Sequence, residues 1–98
     1  MAMMVGVARI TWRLHENHSL KEKRRVLKSI IEKSRHRFNV TVAEVADQDL
    51  HQRATLGVAV VGSDSRVLNS LLDRIIEYMD SLHLADLIDQ EIELIPLG

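Results

Sequence analysis

Two stretches of this chain return an apolar residue every three or four positions, and each can bury only one side. In residues 19–38, SLKEKRRVLKSIIEKSRHRF, the side chains of Leu20, Leu27, Ile31 and Phe38 share one side at about 100° per residue. Val26 and Ile30 stand beside them. Further on, Val67, Leu68, Leu71, Leu72, Ile75, Ile76, Met79 and Leu82 recur at the same spacing, with Arg66, Asp73, Arg74, Glu77 and Asp80 outward. Two one-sided helices need a common apolar surface, and the rest of the chain must supply it.

It does so as strands. Residues 5–14 alternate, with Ala8, Ile10, Trp12 and Leu14 on the core side and Val5, Val7, Arg9, Thr11 and Arg13 opposite. Residues 40–46 are rich in β-branched side chains. Residues 54–61, ATLGVAVV, are apolar enough for a central strand, where Gly57 marks a bulge or a close backbone approach. Residues 89–95 alternate again, and Pro96 is expected to end that strand. Polar links fall at residues 15–18 and 47–53.

The order is β-α-β-β-α-β. Right-handed crossovers place the third strand between the first two. The fold class is therefore α+β: a ferredoxin-like sandwich with a four-stranded antiparallel sheet and two helices on one face. The length suits one domain over residues 1–98. The last strand flanks the first, which brings Arg9 and Arg13 near Asp89, Glu91 and Glu93 on the open sheet face.

The helix ends carry signals. Ser19 and Glu22 are spaced as a capping box, each side chain serving the other's backbone N–H. Asn39, tolerant of left-handed geometry, is expected to stop the first helix. Ser63 or Asp64 is the cap of the second.

Composition excludes several classes. There is no cysteine, so disulfides, thiolate metal sites and cysteine nucleophiles are out, which suits a cytoplasmic protein. No apolar run reaches the roughly 18–20 residues of a membrane span, so no membrane association is expected. Arg9 and Arg13 interrupt the N-terminal apolar segment, against a signal peptide.

Charge is distributed unevenly. Residues 19–37 carry a net +6 and residues 40–98 a net −8, within a total of −1. Lys21, Lys23, Arg24 and Arg25 occupy the first turns of the first helix, the positive end of its dipole, at a cost of about 0.3–1 kcal/mol each. Cationic side chains together with free backbone N–H groups make a phosphate site. The candidate RNA-binding residues are Lys21, Lys23, Arg24, Arg25, Lys28 and Arg35. The alternative is a solvated face whose charges pair with the acidic remainder.

Other chemistries have less behind them. The aromatics Trp12, Phe38 and Tyr78 offer no exposed stacking platform on the central strands, so RNA recognition of the sheet-stacking type is rejected. Asp47, Asp49 and His51 alternate as cation ligands do in an extended chain, but a polar turn explains them as well; no metal and no cofactor are expected. Size and fold resemble acylphosphatase, yet residues 13–20, RLHENHSL, lack its glycine-rich phosphate loop. No nucleophile–base pair is spaced for catalysis, and the protein is read as a non-enzyme. A rival class is a protein-interaction or homodimerisation module that uses the open sheet face, with Val5 and Val7 in its apolar patch.

The segments VGVARITWRL, SLKEKRRVLKSIIEK, FNVTVAEV and DQDLHQRATLGVAVV, with the terminal strand, resemble the YlxP-like family of small bacterial proteins over nearly the whole chain. The resemblance implies a ferredoxin-like fold. It also implies a setting near ribosome assembly or translation, because the family's genes commonly neighbour those of initiation factor two and ribosome-binding factor A. Ribosomal RNA, or the small ribosomal subunit, is the partner this suggests. No catalytic motif comes with the family. Where some relatives carry a larger aromatic, this chain has His51.

Overall fold

The computed structural model describes residues 3–15 and 18–98. In chain order the elements are β1 (Met3–Arg13), α1 (Leu20–Arg37), β2 (Thr41–Ala46), β3 (Arg53–Gly62), α2 (Ser65–Ser81) and β4 (Asp86–Leu97). The strands form one antiparallel sheet in the order β2-β3-β1-β4. This is the ferredoxin-like arrangement that the alternating periods predict. Of the polar connection at residues 15–18, Glu16 and Asn17 lie outside the described residues.

Period-two alternation sorts the strands into two faces. Ala8, Ile10 and Trp12 of β1 stand opposite Val58, Leu56 and Ala54 of β3, and all six are buried under the helices. Leu68, Leu72, Ile75, Ile76 and Met79 of α2 close the core from above. Burying each large aliphatic here contributes roughly 1.5–3 kcal/mol. Gly6 lets α2 approach: a Cβ at Gly6 would lie 3.0 Å from Leu72 Cδ1 and 3.1 Å from Val60 Cγ2. Gly57 has the close approach that its sequence context suggests, on the other face, where a Cβ would meet Val45 Cγ1 at 2.8 Å.

Three features depart from the sequence expectation. β4 starts at Asp86, three residues before the alternation of residues 89–95 becomes visible. A bulge explains this: Thr11 stands opposite Asp89 but Trp12 opposite Leu87, so Ile88 is an extra residue. The insertion breaks the period of two and so hides the start of the strand, but it keeps Leu87 on the core side beside Trp12. At the other end Pro96 does not stop the strand, which runs to Leu97. On an edge strand a proline is tolerated where its missing N–H would face outward.

The second departure is the end of α1. Phe38 caps it in extended geometry, φ −128, with its N–H donating to Ser34 O at 2.8 Å. Left-handed Asn39 is not the stop; the positive-φ residues other than glycine are Asp47 and His83. Phe38 leaves the helix to set its ring edge-on against Tyr78, 5.7 Å between centroids.

The third is the rotation of α1. Its buried residues are Lys23, Leu27, Ile30 and Ser34, whereas Leu20, Ile31 and Phe38 are half-buried. That seam is turned by about 50° from the Leu20–Leu27–Ile31–Phe38 line. The helix lies over β2 and leans on α2.

Candidate functional site

The basic helix begins where the sequence places it. Ser19 is the cap, and its Oγ accepts from the Glu22 N–H at 3.1 Å. The return half of the box is displaced by one residue: Glu22 Oε2 accepts from the His18 N–H at 3.2 Å.

Rotation of α1 separates its cations into two groups. Lys23 is removed from the candidate RNA-binding set, because its side chain is 1% exposed. Its ammonium donates to Asp47 O at 2.6 Å and Leu50 O at 2.8 Å, and lies 2.9 Å from Glu44 Oε2. Two hydrogen bonds and one ion pair engage the ammonium, so the charge is spent inside the fold. The reason is geometric. Lys23 precedes Leu27 by one helical turn and stands on the core seam, while Glu44 shares the inward face of β2 with Val42.

Lys21, Arg24, Arg25, Lys28 and Arg35 are all exposed and cover an arc of about 100° on the outer flank. Lys28 faces Glu32 at 4.0 Å, a long and solvated pair. Among the described residues, Lys21, Arg24, Arg25 and Arg35 form no ion pair. Arg24, Lys28 and Arg35 line an open groove of about 340 Å³ between α1 and β2, with Leu27 and Ile31 in its lining. Arg37, at the far end of the helix, sits over the Tyr78 ring at 4.9 Å and is held away from this flank.

Four acidic residues pair elsewhere: Glu44 with Lys23, and Glu91, Asp86 and Asp47 as follows. Arg9 meets Glu91 at 2.6 Å on the open sheet face, one of the cross-strand pairs expected from the topology. His15 pairs with Asp86. The link after β2 is a turn rather than an extended segment. Asp47 has φ +63, and its carboxylate accepts from Thr55 Oγ1 at 2.7 Å and Arg53 Nε at 3.2 Å. The Thr55 hydroxyl holds the Asp47 carboxyl below its ordinary value; desolvation, next in size, opposes it, and the Arg53 guanidinium and the Lys23 ammonium add to the lowering. Asp47 is thus used on both sides, its carbonyl by Lys23 and its carboxylate by Thr55 and Arg53. Asp49 and His51 are exposed on the turn.

The sequence reading missed the Lys23–Glu44–Asp47 cluster. Its signal was available in the helical wheel, where Lys23 falls well outside the arc of the other cations. Among the described residues, no helix is long and apolar enough to cross a membrane.

Fold and site together define a small α+β sandwich with one cationic helix flank. The chain belongs to the family described as "Protein of unknown function (DUF503)", which it matches over residues 5–92. It is 37% identical over 78 residues to the protein YlxP of Bacillus subtilis (strain 168), covering 80% of this chain and 85% of that one. Among solved structures it is similar to the de novo designed protein Foldit4, with a TM-score of 0.52 at 19% identity, covering 98% of this chain and 97% of the other. That likeness concerns the fold alone. LarC2, the C-terminal domain of a cyclometallase, aligns with a TM-score of 0.49 at 13% identity, over 100% of this chain and 58% of its own.

Proposed function

We propose that this protein is a non-catalytic, cytoplasmic RNA-binding factor that contacts phosphates of structured RNA through the outer flank of α1. The observation that carries this reading is the set of exposed, unpaired cations Lys21, Arg24, Arg25 and Arg35, with Lys28 among them. They run from the first turns of α1 to Arg35 in its last turn, and the N-terminal dipole adds to the field of those at the start. Cations spaced along one flank suit a phosphate backbone, whereas base readout needs a groove-reading or stacking element. The translation-linked setting implied by the family resemblance points to ribosomal RNA, in the small-subunit particle, as the class of target.

The test is filter binding of ribosomal RNA at low salt. Wild type should be retained, and Arg24→Glu with Lys28→Glu should abolish retention without changing the urea midpoint, since both side chains are exposed. Failure of the wild type to retain ribosomal RNA overturns the proposal.

A further inference from the structure

The face of the sheet away from the helices is apolar at one end and, among the described residues, has no layer upon it. Val61 is 66% exposed, Leu97 62%, Val45 51%, and Met3 and Ile95 each 43%. The register joins most of them into one patch: Met3 stands opposite Leu97, and Val5 lies between Val61 and Ile95. Val45 reaches the same surface over Gly57. The largest exposed apolar patch of a small protein is often a functional surface.

We infer that this face is a self-association surface and that a second copy of the chain occupies it. Charge selects the occupant. Along the β1–β4 border Arg9 and Arg13 alternate with Asp89, Glu91 and Glu93, and Arg9 is already paired with Glu91. The border carries both signs, so it favours neither a strongly acidic nor a strongly basic partner. A two-fold axis through it sets Arg9 of one copy against the acidic side chains of the other, a self-complementary arrangement. The cationic flanks of α1 lie beyond the opposite face of each sheet and do not oppose one another.

Size is consistent with a reversible dimer. Four strands at about 4.8 Å spacing, over seven residues at about 3.3 Å each, present roughly 450 Å² per copy. Two copies therefore bury on the order of 900 Å², below the roughly 1,000 Å² of a stable interface and in the range of weak, transient ones. Association edge to edge through β4 is blunted by Asp89, Glu91, Glu93 and Pro96. The dimer is a helix–sheet–sheet–helix stack with both basic flanks outward. This inference does not depend on RNA binding.

Sedimentation velocity across a concentration series tests it. Wild type should show a monomer–dimer equilibrium. Val61→Glu and Ile95→Glu should each raise the dimer Kd at least tenfold, a loss of about 1.4 kcal/mol. Arg24→Glu with Lys28→Glu should leave it unchanged. Fluorescence of Trp12, the sole tryptophan and fully buried, reports whether each variant is folded. A wild type that stays monomeric throughout, a dimer that survives both face substitutions, or one that the α1 substitutions abolish would each overturn the inference.

Discussion

The ammonium of Lys23 lies 2.9 Å from Glu44 Oε2 beneath α1, in the middle of what reads from sequence as a run of surface cations. The pair ties three elements together, because the same ammonium holds the carbonyls of Asp47 and Leu50 in the turn between β2 and β3. Removing one partner of a buried pair strands the other, at about 3–5 kcal/mol. Glu44 retains 22% exposure, which lowers the expected loss for Lys23→Met to about 2–4 kcal/mol. Glu44→Gln, which keeps an acceptor, should cost about 1 kcal/mol. Urea melts of both variants and of the double variant Lys23→Met with Glu44→Met measure the coupling, expected at about 1–3 kcal/mol. Additive losses would show that the pair does not act as a unit.

The start of α1 is the second place where one atom matters. Ser19 Oγ takes the Glu22 N–H, so Ser19→Ala should lower stability by about 0.5–2 kcal/mol. Ser19→Asp should lose little, since its carboxylate can accept the same bond and complements the dipole. Thermal or urea midpoints check both; an Ala variant as stable as wild type would mean the helix is held by packing alone.

Acid should loosen the β2–β3 turn through Asp47. Its folded carboxyl titrates below its ordinary value because Thr55 and Arg53 bind the charged form. The unfolded chain therefore takes up its proton first, near pH 4. The stabilisation is fully present above that pH and is lost as pH falls through the folded value. Asp47→Asn preserves the left-handed backbone, which Asn tolerates, and removes the charge. Its stability deficit relative to wild type should be constant at neutral pH and shrink below about pH 4. A deficit independent of pH would show that hydrogen-bond geometry, not ionisation, carries the effect.

The fold was legible because its two periods are unmistakable: 3.6 through residues 67–82 and 2 through residues 5–14. What escaped has physical causes. Ile88 inserts one residue into β4 and so conceals three residues of strand. The apolar arc of α1 is broad, since Leu20, Val26, Leu27, Ile30 and Ile31 all contribute, and so its centre could be drawn about 50° from where burial puts it. Of the candidate site, Lys21, Arg24, Arg25, Lys28 and Arg35 were readable as a flank because helical spacing alone groups them. The same spacing sets Lys23 apart from them but does not give its partner: Glu44 stands 21 positions away, and only the packing of α1 on β2 brings the two together.

Salt dependence separates a phosphate-binding flank from general attraction. Each phosphate contact that displaces a condensed counterion adds roughly 0.7–0.9 to the slope of log affinity against log salt. The flank offers Lys21, Arg24, Arg25, Lys28 and Arg35, so the slope for ribosomal RNA should not exceed about 3.5–4.5 in magnitude. Arg24→Ala with Lys28→Ala should reduce it by about 1.5, and Arg35→Ala by a further ~0.8. Lys23→Met, assayed below its melting transition, should leave the slope unchanged, since that ammonium never meets solvent. Arg66→Ala, exposed on α2 away from the flank, should also leave it unchanged. If Arg66→Ala flattens the slope as much as Arg24→Ala does, binding is spread over the surface and α1 is not a site.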